Sequence, residues 1–269
     1  MSTNGDAIQM ITAMGFDVAQ AQQALQASNG NVEHAVNFLL MGGSTIETSS
    51  SGGAASDGGA SKLIVGAISQ YSVDNGRSAC TCIALTAATK FLQTPSEDNI
   101  TADSLQSMII QGVEHYQQLS NMLSSSVEHL SPEEVLQNAA QQFPLQMLPG
   151  GIRQGMLSPD PHHPLGLASS LQTIRQEQPP SKWMALLMTK TPETVCLLFP
   201  PPALTGGFWL VDSHPRSGIE GSHAKSHSSL HQLGESVHTI FPCTDLGPDV
   251  PEIMAAMYNS FDLYPLLLR

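Results

Sequence analysis

Two short stretches of the chain combine residue types that do acyl-transfer chemistry. In Asp74-Asn75-Gly76-Arg77-Ser78-Ala79-Cys80-Thr81-Cys82-Ile83-Ala84-Leu85 a Gly/Ser-containing loop runs into an Ala-rich helical pattern, and Cys80 falls at the junction. A cysteine attacks as its thiolate, and the unpaired N–H groups and dipole at a helix start favour that anion. The same N–H groups can receive an oxyanion, and a side-chain amide upstream, Gln70, completes such a site, with Asn75 as the alternative donor. In Phe208-Trp209-Leu210-Val211-Asp212-Ser213-His214-Pro215-Arg216 a base and a carboxylate stand two residues apart. Residues i and i+2 of a strand share a face, so Asp212 can orient and polarise His214 while His214 takes the thiol proton. Cys82 is the rival nucleophile, half a turn further into the helix and expected to be buried. Cys196 falls mid-strand and Cys243 follows a proline, and both read as structural. His162 and His163, and His223, His227 and His231, read as solvated loop or helix residues.

These groups need a scaffold, and the pattern supplies one. Leu63-Ile64-Val65 reads as an initial strand and Ala79 to Leu92 as a helix, with Ile83, Ala84, Ala87, Ala88 and Phe91 on its inner side. Thr101 to Leu119 and Pro132 to Gln142 read as further helices, the latter started by Ser131-Pro132-Glu133-Glu134. The proline-rich stretch from Pro159 to Pro164 reads as a loop. Three apolar runs follow, Trp183 to Met188, Val195 to Phe199 and Phe208 to Val211. Pro192 and Gly206-Gly207 punctuate them at hairpin distances, which predicts an antiparallel sheet. Ser228 to Ile240 has helical spacing of Leu230, Leu233 and Val237. Residues 62–269 are thus expected to form one α+β domain.

The 269 residues carry a net charge of −13, with 10 Lys+Arg against 23 Asp+Glu. With no Lys/Arg cluster, this balance argues against a nucleic-acid backbone or an anionic membrane surface as partner. The start MSTNGDAIQM lacks the basic and apolar regions of a secretion signal, and no window of 18 consecutive apolar residues occurs. The expectation is a reducing compartment, cytoplasmic or nuclear, with the four cysteines as thiols. Cys80 and Cys82 are too close, and lack a second Cys/His pair at finger-like spacing, to suggest zinc. No metal and no cofactor is expected. No heptad or symmetric element marks an oligomer.

Asp6 to Leu40 reads as three short helices: Ile8 and Ile11 in the first, Val18, Ala21, Ala24 and Leu25 as the stripe of the second, and Val32, Val36, Leu39 and Leu40 in the third. Gly15 permits a tight turn that pushes Met14 and Phe16 outward. Met14-Gly15-Phe16, then Gly30-Asn31-Val32, then Leu39-Leu40 resembles the ubiquitin-associated (UBA) domain over Asp6 to Met41, and the domain is placed at residues 5–42. The resemblance implies that Met14, Gly15, Phe16, Leu39 and Leu40 grip ubiquitin. Residues 43–61 hold one bulky apolar residue, Ile46, and read as a flexible Gly/Ser-rich linker with a root-mean-square span of roughly 25 Å.

The order Gln70, Cys80, then Asp212-Ser213-His214 resembles the herpesvirus-tegument type of papain-like deubiquitinase and its cellular relatives. That resemblance implies a cysteine peptidase acting after the ubiquitin C-terminal glycine, with Cys80 as nucleophile, His214 as base, Asp212 as orienter and Gln70 as oxyanion donor. The ten residues from Gln70 to Cys80 depart from the five or six of papain-like enzymes. Gly206, Gly207 and Gly218 are candidate walls for a cleft that admits the glycine tail. Peptidases of other ubiquitin-like modifiers share the Asp-x-His pair, but their nucleophile usually follows an aromatic-Gly pair; here it follows Ser78-Ala79. Two other readings stay open: a peptidase of such a modifier, and a ubiquitin-binding adaptor without catalysis.

Overall fold

The computed structural model describes residues 61–123, 129–160, 162–204, 207–247 and 249–269. Of the first sixty residues it describes only Ala7, Ile8, Gln9, Thr12, Val18, Ala21, Gln22 and Leu25. The chain divides after Asp57 into two compact units. In the first, the described residues are helical, with Ala7, Ala21 and Leu25 buried. Val18, expected on the inner stripe, is exposed; it lies one turn before the part of the stripe that Ala21 and Leu25 bury. Met14, Gly15, Phe16, Leu39, Leu40, residues 43–60 and Gly206 lie outside the described residues.

The second unit is built on an antiparallel sheet. Its strands are β1 (Leu63–Val65), β2 (Leu145–Met147), β3 (Arg153–Met156), β4 (Met184–Lys190), β5 (Glu193–Phe199), β6 (Phe208–Asp212), β7 (His223–His227) and β8 (Ser260–Leu268). They run in the order β1-β7-β6-β5-β4-β8-β2, with β3 also pairing β8. The helices are α1 (Cys80–Gln93), α2 (Ala102–Leu123), α3 (Pro132–Asn138), α4 (Leu167–Glu177), α5 (Leu230–Ile240) and α6 (Glu252–Tyr258). Alternate residues of each central strand serve opposite faces. Ala185, Leu187, Cys196, Leu198 and Trp209 pack with α1, α2 and α3, while Met184, Leu186, Met188, Val195, Leu197 and Leu210 pack with α4 and α5. Burial on both faces is why β4 and β5 read as continuous apolar runs.

Helix α1 is enclosed on nearly every side by the sheet and α2. Its small residues permit this. Where the two helices cross, a Cβ on Gly112 would meet the Ile83 Cα at 2.5 Å, so only glycine allows the approach. Large apolar side chains such as Leu85 and Phe91 then each contribute about 1.5–3 kcal/mol by leaving water. Helix α3 is started by a capping box, in which Glu134 N–H donates to Ser131 Oγ and Ser131 N–H to Glu134 Oε2. It ends at Asn138, four residues earlier than the pattern predicts.

The expectation for two histidines is corrected. His223 and His227 are not solvated; both are buried on β7, which is covered by β1 on one edge and β6 on the other. His162 and His231 are exposed, and His163 is half-buried.

Candidate active site

Helix α1 begins at Cys80, with Ala79 as a cap residue that offers no side-chain acceptor. The first intrahelical bond runs from Ile83 N–H to Ala79 C=O at 2.9 Å. The N–H groups of the first turn before it have no partner within the helix and aim at the region of the Cys80 thiol. Cys80 itself is only 2% exposed. Its Sγ donates to the Pro192 carbonyl at 3.6 Å, in the turn between β4 and β5. Burial alone would push this thiol up; hydrogen bonds from His129 and His214, the charge of His214 and the Thr194 N–H together bring it down to about 6. Cys82, one residue pair deeper, has no such partners, and burial raises it to about 12. Cys196 is buried mid-strand and pushed up by burial alone.

His214 lies within hydrogen-bonding reach of Cys80 and is 2% exposed. Strand β6 ends at Asp212, so His214 does not stand on the strand as the i, i+2 pattern predicts. A carboxylate-closed turn replaces the strand: His214 N–H donates to Asp212 Oδ1 at 2.9 Å, and His214 Nδ1 meets the same oxygen at 2.6 Å. One carboxylate oxygen thereby fixes both the backbone and the ring, leaving Nε2 to face the thiol. Burial would lower the imidazole, but its bonds to Asp212 and Cys80 raise it well above the ordinary histidine range. Asp212 Oδ2 accepts from Arg216 Nε at 2.6 Å, and Arg216 Nη2 donates to Glu193 Oε2 at 2.7 Å. Against the opposing effect of burial, His214 and Arg216 hold the Asp212 carboxyl below the usual carboxylate range.

Gln70 is buried, and its long sequence gap to Cys80 is taken up by two tight turns, Gln70–Ser72 and Gly76–Ser78. Ser213 Oγ donates to Gln70 Oε1 at 2.7 Å, and Gln70 Nε2 donates to the Arg77 carbonyl at 3.1 Å. The Gln70 backbone N–H donates to the Ser213 carbonyl at 3.0 Å, joining the loop before Cys80 to the residue between Asp212 and His214. Gly76 closes the loop: a Cβ there would lie 2.0 Å from the Gln70 carbonyl oxygen. Asn75, the alternative amide, is exposed in a left-handed turn with φ 63°.

Four further side chains belong to this cluster. His129 reaches Cys80 from the segment before α3. The half-exposed Tyr71 ring stands edge-on to His214 with centroids 6.1 Å apart. Arg216 and Glu193 complete the chain behind Asp212. Arg216 was legible beside the Asp-x-His; the other three carry no local pattern that ties them to a distant cysteine. Of the candidate glycine walls, Gly218 lies in the turn closed by the paired Arg216 and Ile219, at the site's end of β6. Gly207 does not line the site: it precedes β6 at the end away from Asp212, beside Glu97 and Trp183. Five strand residues place it about 17 Å off. Among the described residues no cluster of His, Cys, Asp or Glu is arranged to hold a metal.

Residues 4–39 match the family model of the UBA/TS-N domain. No curated protein matches the chain in sequence. Among solved structures, the fold is similar to that of the ubiquitin-specific protease encoded by a tegument protein of murine cytomegalovirus, crystallised with a ubiquitin-based suicide substrate. The TM-score is 0.53 at 11% identity, covering 76% of this chain and 85% of that one. At such identity the likeness is one of fold, and it accords with a mixed helical domain on an antiparallel sheet.

Proposed function

We propose that the chain is a cysteine-type deubiquitinase with a ubiquitin-binding UBA module at residues 5–42, a Gly/Ser-rich tether at 43–61 and a peptidase domain at 62–269. The observation that carries this reading is the buried series Asp212–His214–Cys80, with the thiol drawn down by its neighbours at the start of a helix. Cys80 as thiolate attacks the carbonyl of the ubiquitin C-terminal glycine. The helix-start N–H groups and the N–H of Gln70 not used by Arg77 take up the oxyanion. His214, as imidazolium, protonates the departing lysine amine; it then draws a proton from water, which hydrolyses the thioester and frees Cys80. Arg216 keeps Asp212 ionised and therefore His214 oriented. A thiol so enclosed suits a tail without side chains. Met14, Gly15, Phe16, Leu39 and Leu40 form the module's grip on ubiquitin, and free thiols suit a cytoplasmic or nuclear setting.

The test is reaction with ubiquitin carrying a C-terminal thiol-reactive warhead, using wild type, Cys80→Ala and Cys82→Ala. An adduct lost only in Cys80→Ala is expected. Loss only in Cys82→Ala moves the nucleophile. No adduct with wild type leaves a ubiquitin-binding adaptor or a peptidase of another modifier.

A further inference from the structure

Helix α6 is turned inside out. Ile253, Met254, Met257 and Tyr258 are 70%, 58%, 71% and 55% exposed, while the small Ala255 and Ala256 are half-buried. The spacing i, i+1, i+4, i+5 gathers the four large side chains on one stripe. The helix is held by polar ties at its C-terminal end. Lys190 Nζ donates to the Tyr258 carbonyl at 3.0 Å and stands over the Tyr258 ring. Asn259 Nδ2 donates to the carbonyls of Ala255 and Thr244, and Ser260 Oγ to that of Met257. The exposed apolar stripe therefore does little to hold the helix in place, and water-exposed Met, Ile and Tyr in one patch mark a contact surface.

Position and charge identify the occupant. The turn that carries Lys190 is the one whose Pro192 carbonyl meets the Cys80 thiol and whose Glu193 meets Arg216. Only Thr191 separates Lys190 from Pro192, at most about 7 Å between their Cα atoms, and Lys190 pairs with Glu193 across the turn, so the patch borders the site from the β4–β5 turn. The segment leading into α6 carries the exposed Asp245 and Asp249, and it is pinned to the helix end through Asn259 and Thr244. An apolar stripe with an acidic margin fits a protein face that is apolar and ringed by lysine and arginine.

We infer that α6 docks the folded body of the ubiquitin whose tail enters the Cys80 site; this rests on the deubiquitinase reading above. The patch supplies affinity at the cleft rim, and the acidic margin speeds and orients encounter.

The test uses the full chain and ubiquitin bearing a C-terminal amide-linked fluorophore. Ile253→Glu and Met257→Glu are each expected to raise KM about 10-fold with kcat within twofold and Tm unchanged. Met122→Glu, replacing another exposed methionine, on α2, should leave KM alone. Asp249→Lys should cost about threefold in kcat/KM at low salt and little at high salt. Ubiquitin turnover by wild type with unaltered KM in both α6 variants overturns the docking surface alone. An equal KM rise in Met122→Glu does so too, since it makes the effect one of added charge. A dimer lost in Met257→Glu overturns it by giving the face to a second copy of the chain. A wild type that leaves the ubiquitin amide uncut defeats the deubiquitinase reading, and the docking proposal with it.

Discussion

Two cysteines two residues apart on one helix differ here by the whole range of thiol chemistry. Both are buried, and burial by itself makes a thiol inert, as it does for Cys82. At Cys80 two imidazoles and the Thr194 N–H outweigh that cost. The thiol is lowered and His214 raised, so the thiolate–imidazolium pair exists above about pH 6 and persists until His214 loses its proton on the alkaline side. kcat/KM should therefore climb through about pH 6, hold across neutrality, and fall at alkaline pH; the two limbs belong to the pair rather than to either residue. Asp212→Asn should lower kcat about 10²–10⁴-fold and move the alkaline limb down, because the neutral amide no longer favours the charged ring. His129 gives a separate prediction. Its hydrogen bond lowers the thiol, so His129→Ala should shift the acid limb upward. Alkylation by iodoacetamide against pH, in a Cys243→Ser background that removes the least buried thiol, reads this directly. An unmoved profile would leave His129 with no part in activating Cys80.

At the scale of elements, the legible parts are those whose side chains share one environment. Helix α1 starts within one residue of its expected place, and β4, β5 and β6 follow from apolar runs buried on both faces. Strand β7 was hidden because His223-Ala224-Lys225-Ser226-His227 has no apolar signature; its burial comes from the neighbours on either edge. Strand β8 was hidden partly by Pro265, a residue that argues against a central strand. The Pro265 carbonyl accepts from Leu148 N–H, so its missing donor faces the same edge, where β3 pairing ends at Leu263 and β2 pairing begins at Leu266. The site was legible as a list of residues and not as a path. Nothing in the sequence says that two turns fold Gln70 back to Ser213. Gly76 is the element that allows it, since any Cβ there displaces the Gln70 carbonyl. Gln70→Ala should cost about 10²–10³-fold in kcat with little change in KM. Gly76→Ala should mimic it in part, lowering kcat at least several-fold and also lowering Tm. Full activity in Gly76→Ala would show that the loop does not position the amide.

Along its sequence the chain joins a segment matching the UBA/TS-N domain to a domain with an enclosed thiol site, and on our proposal both take ubiquitin. On our proposal residues 43–61 are the tether, and a Gly/Ser-rich tether of that length spans roughly 25 Å, which corresponds to an effective concentration of order millimolar. That is enough to engage a weak module once another ubiquitin of the same substrate sits in the peptidase site. It adds nothing when the substrate holds one ubiquitin and that one is already docked. The two substrate types should therefore separate the roles. Phe16→Ala in the full chain, or a chain beginning at Lys62, should lose about 10-fold or more in kcat/KM on ubiquitin chains below saturation. On the single-ubiquitin amide the same variants should lose less than twofold. Equal losses on both substrates would mean that the module grips the ubiquitin being cleaved, and the gain would then come from one shared ligand rather than from two linked binding events.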